Sequence, residues 1–145
     1  MPELQNAAGT GETGKKTSGE LISGRERAIA CVREASLFKA LDLVLMDVSR
    51  FSSFADFFII CSGKSSRQVQ GIADNLEDKL RQVGMRPIGV EGKQEGHWVL
   101  MDYGDIIIHI FYEPIRYFYD LESLWAEAPR LEWEEGPGGA PEESR

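Results

Sequence analysis

Residues 97 to 111 constrain this chain more than any other stretch. Two strand-like runs, His97 to Asp102 (HWVLMD) and Ile106 to Phe111 (IIIHIF), flank the turn Asp102-Tyr103-Gly104-Asp105. Apolar runs joined by a short Asp- and Gly-containing turn predict a β-hairpin. Alternation along the second run puts Ile106, Ile108 and Ile110 on one face and Ile107, His109 and Phe111 on the other.

The rest of the fold is read outward from that hairpin. Ala28, Ile29, Val32 and Ala35 recur at helical spacing. Leu41 to Val48 and Asp56 to Cys61 are strand-like. The turn between them, Ser49 to Ala55, leaves no room for a crossover helix, so these two strands should pair antiparallel. Ser65 or Ser66 can cap a second helix, whose buried stripe is Val69, Ile72, Ala73, Leu76, Leu80 and Val83 and whose stop is Gly84. A third strand is expected at Arg86 to Val90. Pro114 opens a helical segment running through Leu121, Leu124 and Trp125. The order is α-β-β-α-β-β-β-α. It predicts a mixed α/β (α+β) domain: a five-stranded, mostly antiparallel sheet with flanking helices.

A chain of 145 residues holds one core. That domain is placed at residues 24–130. Residues 1–23, rich in Gly, Thr and Glu, read as a disordered amino tail; residues 131–145 read as an acidic, Gly/Pro-rich carboxyl tail. No apolar run approaches the roughly 20 residues that span a bilayer. The first Arg is Arg25, after Glu3, Glu12 and Glu20, so neither a secretory nor a transit signal is read, and a cytoplasmic location is expected. Cys31 and Cys61 read as buried small residues.

Charge bears on partners. The net charge is −8, and half of it lies from Glu127 onward, where six Glu face two Arg. No basic stripe marks a phosphate-binding surface. Direct sequence-specific nucleic-acid binding is not expected; a basic protein suits this chain better.

The residues suggest three candidate chemistries. Ser62-Gly63-Lys64-Ser65 sits between strand and helix like the end of a phosphate loop. The glycine such a loop needs upstream is Phe58, inside an apolar strand. Metal-dependent nucleotidyl transfer needs converging carboxylates, but Asp42, Asp47, Asp56, Asp102 and Asp105 are scattered at strand ends. His109, mid-strand and without a Ser or Cys nucleophile in an obvious motif, reads as a packed side chain. Two Cys and two His at no ligand spacing argue against zinc. The expectation is therefore no catalytic residue, no metal and no cofactor. What remains is a surplus of rings in the last third: Trp98, Tyr103, Phe111, Tyr112, Tyr117, Phe118, Tyr119 and Trp125. Such rings are enriched at interfaces, although core closure accounts for part of them.

Three linked blocks carry a resemblance. They are Phe54 to Gly63 with Ser65-Ser66-Arg67-Gln68-Val69; Glu91-Gly92 followed by Trp98 to Asp105, His109 and Phe111; and Arg116, Tyr119 to Glu122, Leu124 and Trp125. In this order, over about residues 25 to 126, they resemble the ribosomal silencing factor (RsfS, Iojap-like) family. The resemblance implies a nucleotidyltransferase-like fold without that fold's catalytic acids. It also implies binding to a ribosomal protein at the joining face of the large ribosomal subunit, blocked subunit joining under nutrient limitation, and a homodimer when free. A role in large-subunit assembly and a minimal nucleotidyltransferase are the alternatives. By the same resemblance the partner-binding residues are Arg67, Gln68, Trp98, Asp102, Tyr103, His109, Phe111, Arg116, Tyr119 and Leu121. Trp98 and Tyr119 would be apolar anchors. Asp102 would accept from a basic side chain of the partner. Arg116 would pair with a carboxylate outside the chain, or hold Asp102 or Asp120 within it.

Overall fold

The computed structural model describes residues 23–133, so the expected disordered amino tail (but for Ser23) and the carboxyl end from residue 134 lie outside them. In chain order the elements are α1 (Gly24–Leu37), β1 (Leu41–Asp47), β2 (Phe57–Gly63), α2 (Ser66–Gln82), β3 (Gly89–Glu91), β4 (Trp98–Asp102), β5 (Ile106–Tyr112), α3 (Glu113–Tyr119), α4 (Leu121–Leu124) and β6 (Arg130–Leu131). Among the described residues no helix is long and apolar enough to cross a membrane.

Both long helices begin where hydroxyls satisfy free amides. Ser23 and Glu26 form a reciprocal capping box at α1. The Ser65 hydroxyl accepts from the Gln68 amide at 3.0 Å at α2.

Among the described residues the sheet has six strands in the order β3-β4-β5-β2-β1-β6. The β1–β2 and β4–β5 pairs are antiparallel, as the short turns require. The β2–β5 pair is parallel and sits at the centre. Every residue of β2 is buried, which is why Phe57 to Cys61 reads as a continuous apolar run rather than an alternating one.

Several differences from the sequence expectation have physical causes, and Val83, expected in the buried stripe of α2, is exposed where the helix ends. The sheet has a sixth strand, β6, pairing Leu131 with Leu45 and Arg130 with Met46; two residues are too few to show alternation. Leu131 and Trp133 both pack on the core, so these contacts run past the domain end expected at residue 130. The third strand begins at Gly89 rather than Arg86. Pro87 has no amide hydrogen to give to a ladder, and the first cross-strand bond is from the Ile88 amide to the Asp102 carbonyl, 2.7 Å.

The sheet divides the core in two. On one face α1 and α2 bury Ile106, Ile108 and Ile110 with Ile59, Cys61 and Leu45. On the other, Ile107 and Phe111 pack with Phe58, Ile60 and Met46 under the carboxyl-terminal segment, represented by Ile115, Leu121 and Trp125. Trp98 and Leu100 of β4 pack at the side of this second cluster.

The β3–β4 connection is fastened to α2. Gln70 Nε2 donates to the carbonyls of Lys93 and Gln94, both at 2.9 Å, and Lys93 Nζ lies 2.7 Å from Asp74. Gly92 makes the turn possible. Its φ is +85°, and a Cβ there would stand 2.1 Å from the Trp98 carbonyl oxygen. Gly92→Ala is expected to lower stability by roughly 2 kcal/mol or more, since the left-handed conformation alone costs about 1–2 kcal/mol for a side-chain-bearing residue. Equilibrium denaturation in guanidinium checks this; an unchanged midpoint would mean that the turn relaxes freely.

Candidate functional site

The second face of the sheet carries a continuous row of rings. Trp98 on β4 stacks on Phe111 of β5, its cross-strand partner, with centroids 4.8 Å apart. Tyr119 at the end of α3 lies 5.0 Å from Trp98 on the outer side. Inward, His109 sits edge-on to Phe58 at 4.9 Å, and Phe58 meets Trp125 at 4.9 Å. Such edge and offset contacts are the favoured geometries for aromatic pairs.

Polar atoms within this row are used internally. Trp98 Nε1 donates to His109 Nδ1 at 3.2 Å. Burial pushes the His109 imidazole down to about 4, so it is neutral at neutral pH. Arg116, although charged, is buried on α3. Its Nη1 donates to the Ser62 hydroxyl at 2.7 Å and its Nη2 to Glu122 Oε2 at 2.8 Å. Glu122 is six residues on and would lie off Arg116's face in a continuous helix. The chain turns at Asp120, in the left-handed conformation (φ 48°, ψ 53°), and this break between α3 and α4 returns Glu122 to the guanidinium.

The residues expected to bind a partner fall into three groups. Phe111, Tyr103, His109, Asp102 and Arg116 are buried and stand within the fold. Asp102 accepts from the Gly104 amide at 2.8 Å, the local turn bond that Asp favours. Arg116 bonds Glu122 and Ser62 rather than Asp102 or Asp120. Tyr103 lies with the α1–α2 side of the core, away from the ring row. Burial explains all five placements: each sits at an inward position of β4, β5, the turn or α3. The second group is at the surface. Tyr119 is 50% exposed, Trp98 is half-buried, and half-buried Leu121 packs against the second-face cluster. Trp98 and Leu100, with Glu91 and Gly92, line a shallow depression of about 270 Å³. The third group lies at the start of α2. Arg67 is exposed, whereas Gln68 Oε1 accepts from the Lys64 amide at 2.6 Å and so fastens the turn.

Tyr117, Phe118 and Leu124, which stand outside the partner-binding set expected from the sequence, are exposed near the chain position of Tyr119. Tyr117 and Phe118 are 72% and 79% exposed, and Leu124 is 76% exposed. The signal was present: three consecutive rings in a helix of seven residues cannot all face one core.

The alternative chemistries meet specific obstacles. At Gly63 to Ser66, the Lys64 amide, the Ser65 hydroxyl and the Ser62 hydroxyl are already engaged by Gln68 and Arg116. Asp47, Asp56 and Asp105 do come to one end of the sheet, near enough that Asp105 and Asp47 add to the desolvation that raises the Asp56 carboxyl above its ordinary range. Asp105, however, forms a two-bond ion pair with Arg27, both contacts at 3.0 Å, and Asp47 accepts from Ser49. Among the described residues no three His, Cys, Asp or Glu side chains converge as metal ligands. Cys31 and Cys61 are both buried and unpaired, with thiols that burial pushes up to about 12.

Comparison with known proteins points one way. A family model described as "Ribosomal silencing factor during starvation" matches residues 22–145. Ribosomal silencing factor RsfS of Halalkalibacterium halodurans is 41% identical over 113 residues, covering 78% of this chain and 97% of that protein. The Mus musculus protein named mitochondrial assembly of ribosomal large subunit protein 1 is 29% identical over 89 residues, covering 59% of this chain and 39% of its own. A crystal structure of a Chromobacterium violaceum protein superposes with a TM-score of 0.70 at 29% identity, over 83% of this chain and 98% of that one.

Proposed function

The chain belongs to the ribosomal silencing factor family, and from that premise we propose that it docks on a ribosomal protein at the joining face of the large ribosomal subunit. It thereby blocks joining of the small subunit and lowers translation when nutrients are short. No bond is made or broken. A body seated at the joining face excludes the small subunit by volume and shifts the equilibrium toward free subunits. The protein acts in the cytoplasm and is a homodimer when free.

The observation that carries this reading is the ring row, which runs from Trp98 to half-exposed Tyr119 and on to exposed Phe118, with exposed Tyr117 next in the chain. Exposed aromatic residues are suited to bury against a partner. The net charge of −8 favours a basic protein as that partner and speeds its approach.

Sucrose-gradient sedimentation with separated subunits tests this. The protein is expected to travel with the large subunit and to reduce the joined ribosome peak. A protein that stays at the top of the gradient at micromolar concentration ends the docking reading. Tyr119→Ala is expected to weaken binding by about 2 kcal/mol, the scale of an interface anchor, with little change in thermal stability. Assembly of the large subunit is the second reading, favoured by the name of the mouse relative. It predicts immature large subunits in cells lacking the protein, even in rich medium.

A further inference from the structure

We propose that His109 is a positioning residue for docking: its Nδ1 holds the Trp98 indole with the N–H turned inward and the hydrocarbon edge outward. This rests on the docking reading given above and names a residue through which that face is shaped.

Three observations point to it. First, Trp98 Nε1 donates to His109 Nδ1 at 3.2 Å. The pair is diagonal across the hairpin, since Leu100 is directly opposite His109 and Phe111 directly opposite Trp98. Second, an imidazole that accepts at Nδ1 carries its proton on Nε2, and His109 Nε2 is buried with no hydrogen-bond partner among the described residues. An unmatched buried donor is destabilising. A leucine among Phe58, Phe111 and Trp98 would avoid that cost, so packing alone does not explain a histidine at this position. What histidine adds is an acceptor for the indole. Third, Trp98 is held from three sides, by His109, by the stacked ring of Phe111 and by Tyr119 at 5.0 Å. With its one donor bonded inside, the half-buried indole offers the depression beside Glu91, Gly92 and Leu100 a wholly apolar wall. Without the acceptor, the N–H is left to find water, and the ring turns to reach it.

The consequence is specific to the acceptor. His109→Leu keeps an apolar filler and removes Nδ1. His109→Gln carries its polar group near the Nε2 position, so it also lacks an acceptor facing Trp98. His109→Asn restores an oxygen at about the reach of Nδ1. The full-length variants are compared by two measurements. One is affinity for purified large subunits. The other is hydrogen exchange of the Trp98 indole N–H in a ¹H–¹⁵N spectrum.

The wild-type indole proton is expected to exchange slowly. The Leu and Gln variants are expected to exchange it fast and to bind roughly tenfold more weakly, the Leu variant without loss of thermal stability. The Asn variant is expected to recover both properties. Wild-type affinity in a Leu or Gln variant whose indole exchanges fast would overturn the proposal, as would slow exchange without an acceptor at position 109. Failure of the wild-type protein to bind large subunits would instead sink the docking reading, and the exchange data would still decide whether His109 holds the ring.

Discussion

Arg116→Ala is expected to destabilise the fold by about 3–5 kcal/mol, the cost of removing one partner from a buried ion pair. Arg116 is 6% exposed, and both its contacts are hard to replace. Ser62 lies at the end of β2, the central strand, and has no exposure to water. Glu122 is mostly covered, with 19% of its side chain accessible, and without the guanidinium it becomes an uncompensated carboxylate. The guanidinium also ties α3 and α4 to the sheet across the break at Asp120, beside the packing of Ile115, Leu121 and Trp125. Its loss should release Trp125 from Phe58 and open the second face. Arg116→Met should be nearly as damaging, because it keeps the volume but leaves the charge on Glu122 unmatched. The double variant Arg116→Met, Glu122→Leu should recover most of the loss, since replacing both charges with apolar groups is often neutral. Guanidinium denaturation of the three variants decides the matter. If the double variant is no more stable than Arg116→Met, the unpaired carboxylate is not the source of the cost.

Much of this arrangement was legible in the sequence, and the parts that were not share a cause. The hairpin was readable because alternation and turn chemistry agree over Trp98 to Phe111. The face assignment of Ile106 to Phe111 follows from the two-residue period alone, and the two halves of the core divide as it predicts. Strand β6 was not readable because two residues carry no period. The family resemblance selected residues by type, which cannot separate a side chain that forms a surface from one that props it up. Asp102 and Arg116 illustrate this: charged residues default to the surface, yet one completes a turn and the other ties α3 and α4 to the sheet. The pairing of Arg116 with Glu122 depends on the left-handed Asp120, which no helical periodicity reveals. Nor does sequence show that Trp98 and His109, eleven residues apart, share one hydrogen bond.

Acidification from pH 7 to pH 5 is expected to destabilise the protein by about 2 kcal/mol through His109 alone, with on the order of 3 kcal/mol lost by pH 4. The cause is burial, which lowers the imidazole to about 4 from an ordinary value of 6.5. Between those two values the unfolded chain binds a proton that the folded chain refuses. Stability from this group is therefore complete above pH 6.5 and falls as pH drops toward 4. Asp56 works in the opposite direction at the low end: its carboxyl is raised by burial and by Asp105 and Asp47, so the folded chain takes up a proton there more readily than the unfolded one. That offset begins above the carboxylate's ordinary 3.8 and does not cancel the histidine's larger displacement. Denaturation midpoints at pH 7, 6 and 5 for the wild type and His109→Leu separate the contributions. The wild type should weaken steadily over this range, whereas the Leu variant, with nothing to protonate at that position, should stay nearly flat. A parallel decline in both proteins would assign the acid sensitivity to other groups and leave His109 without a part in it.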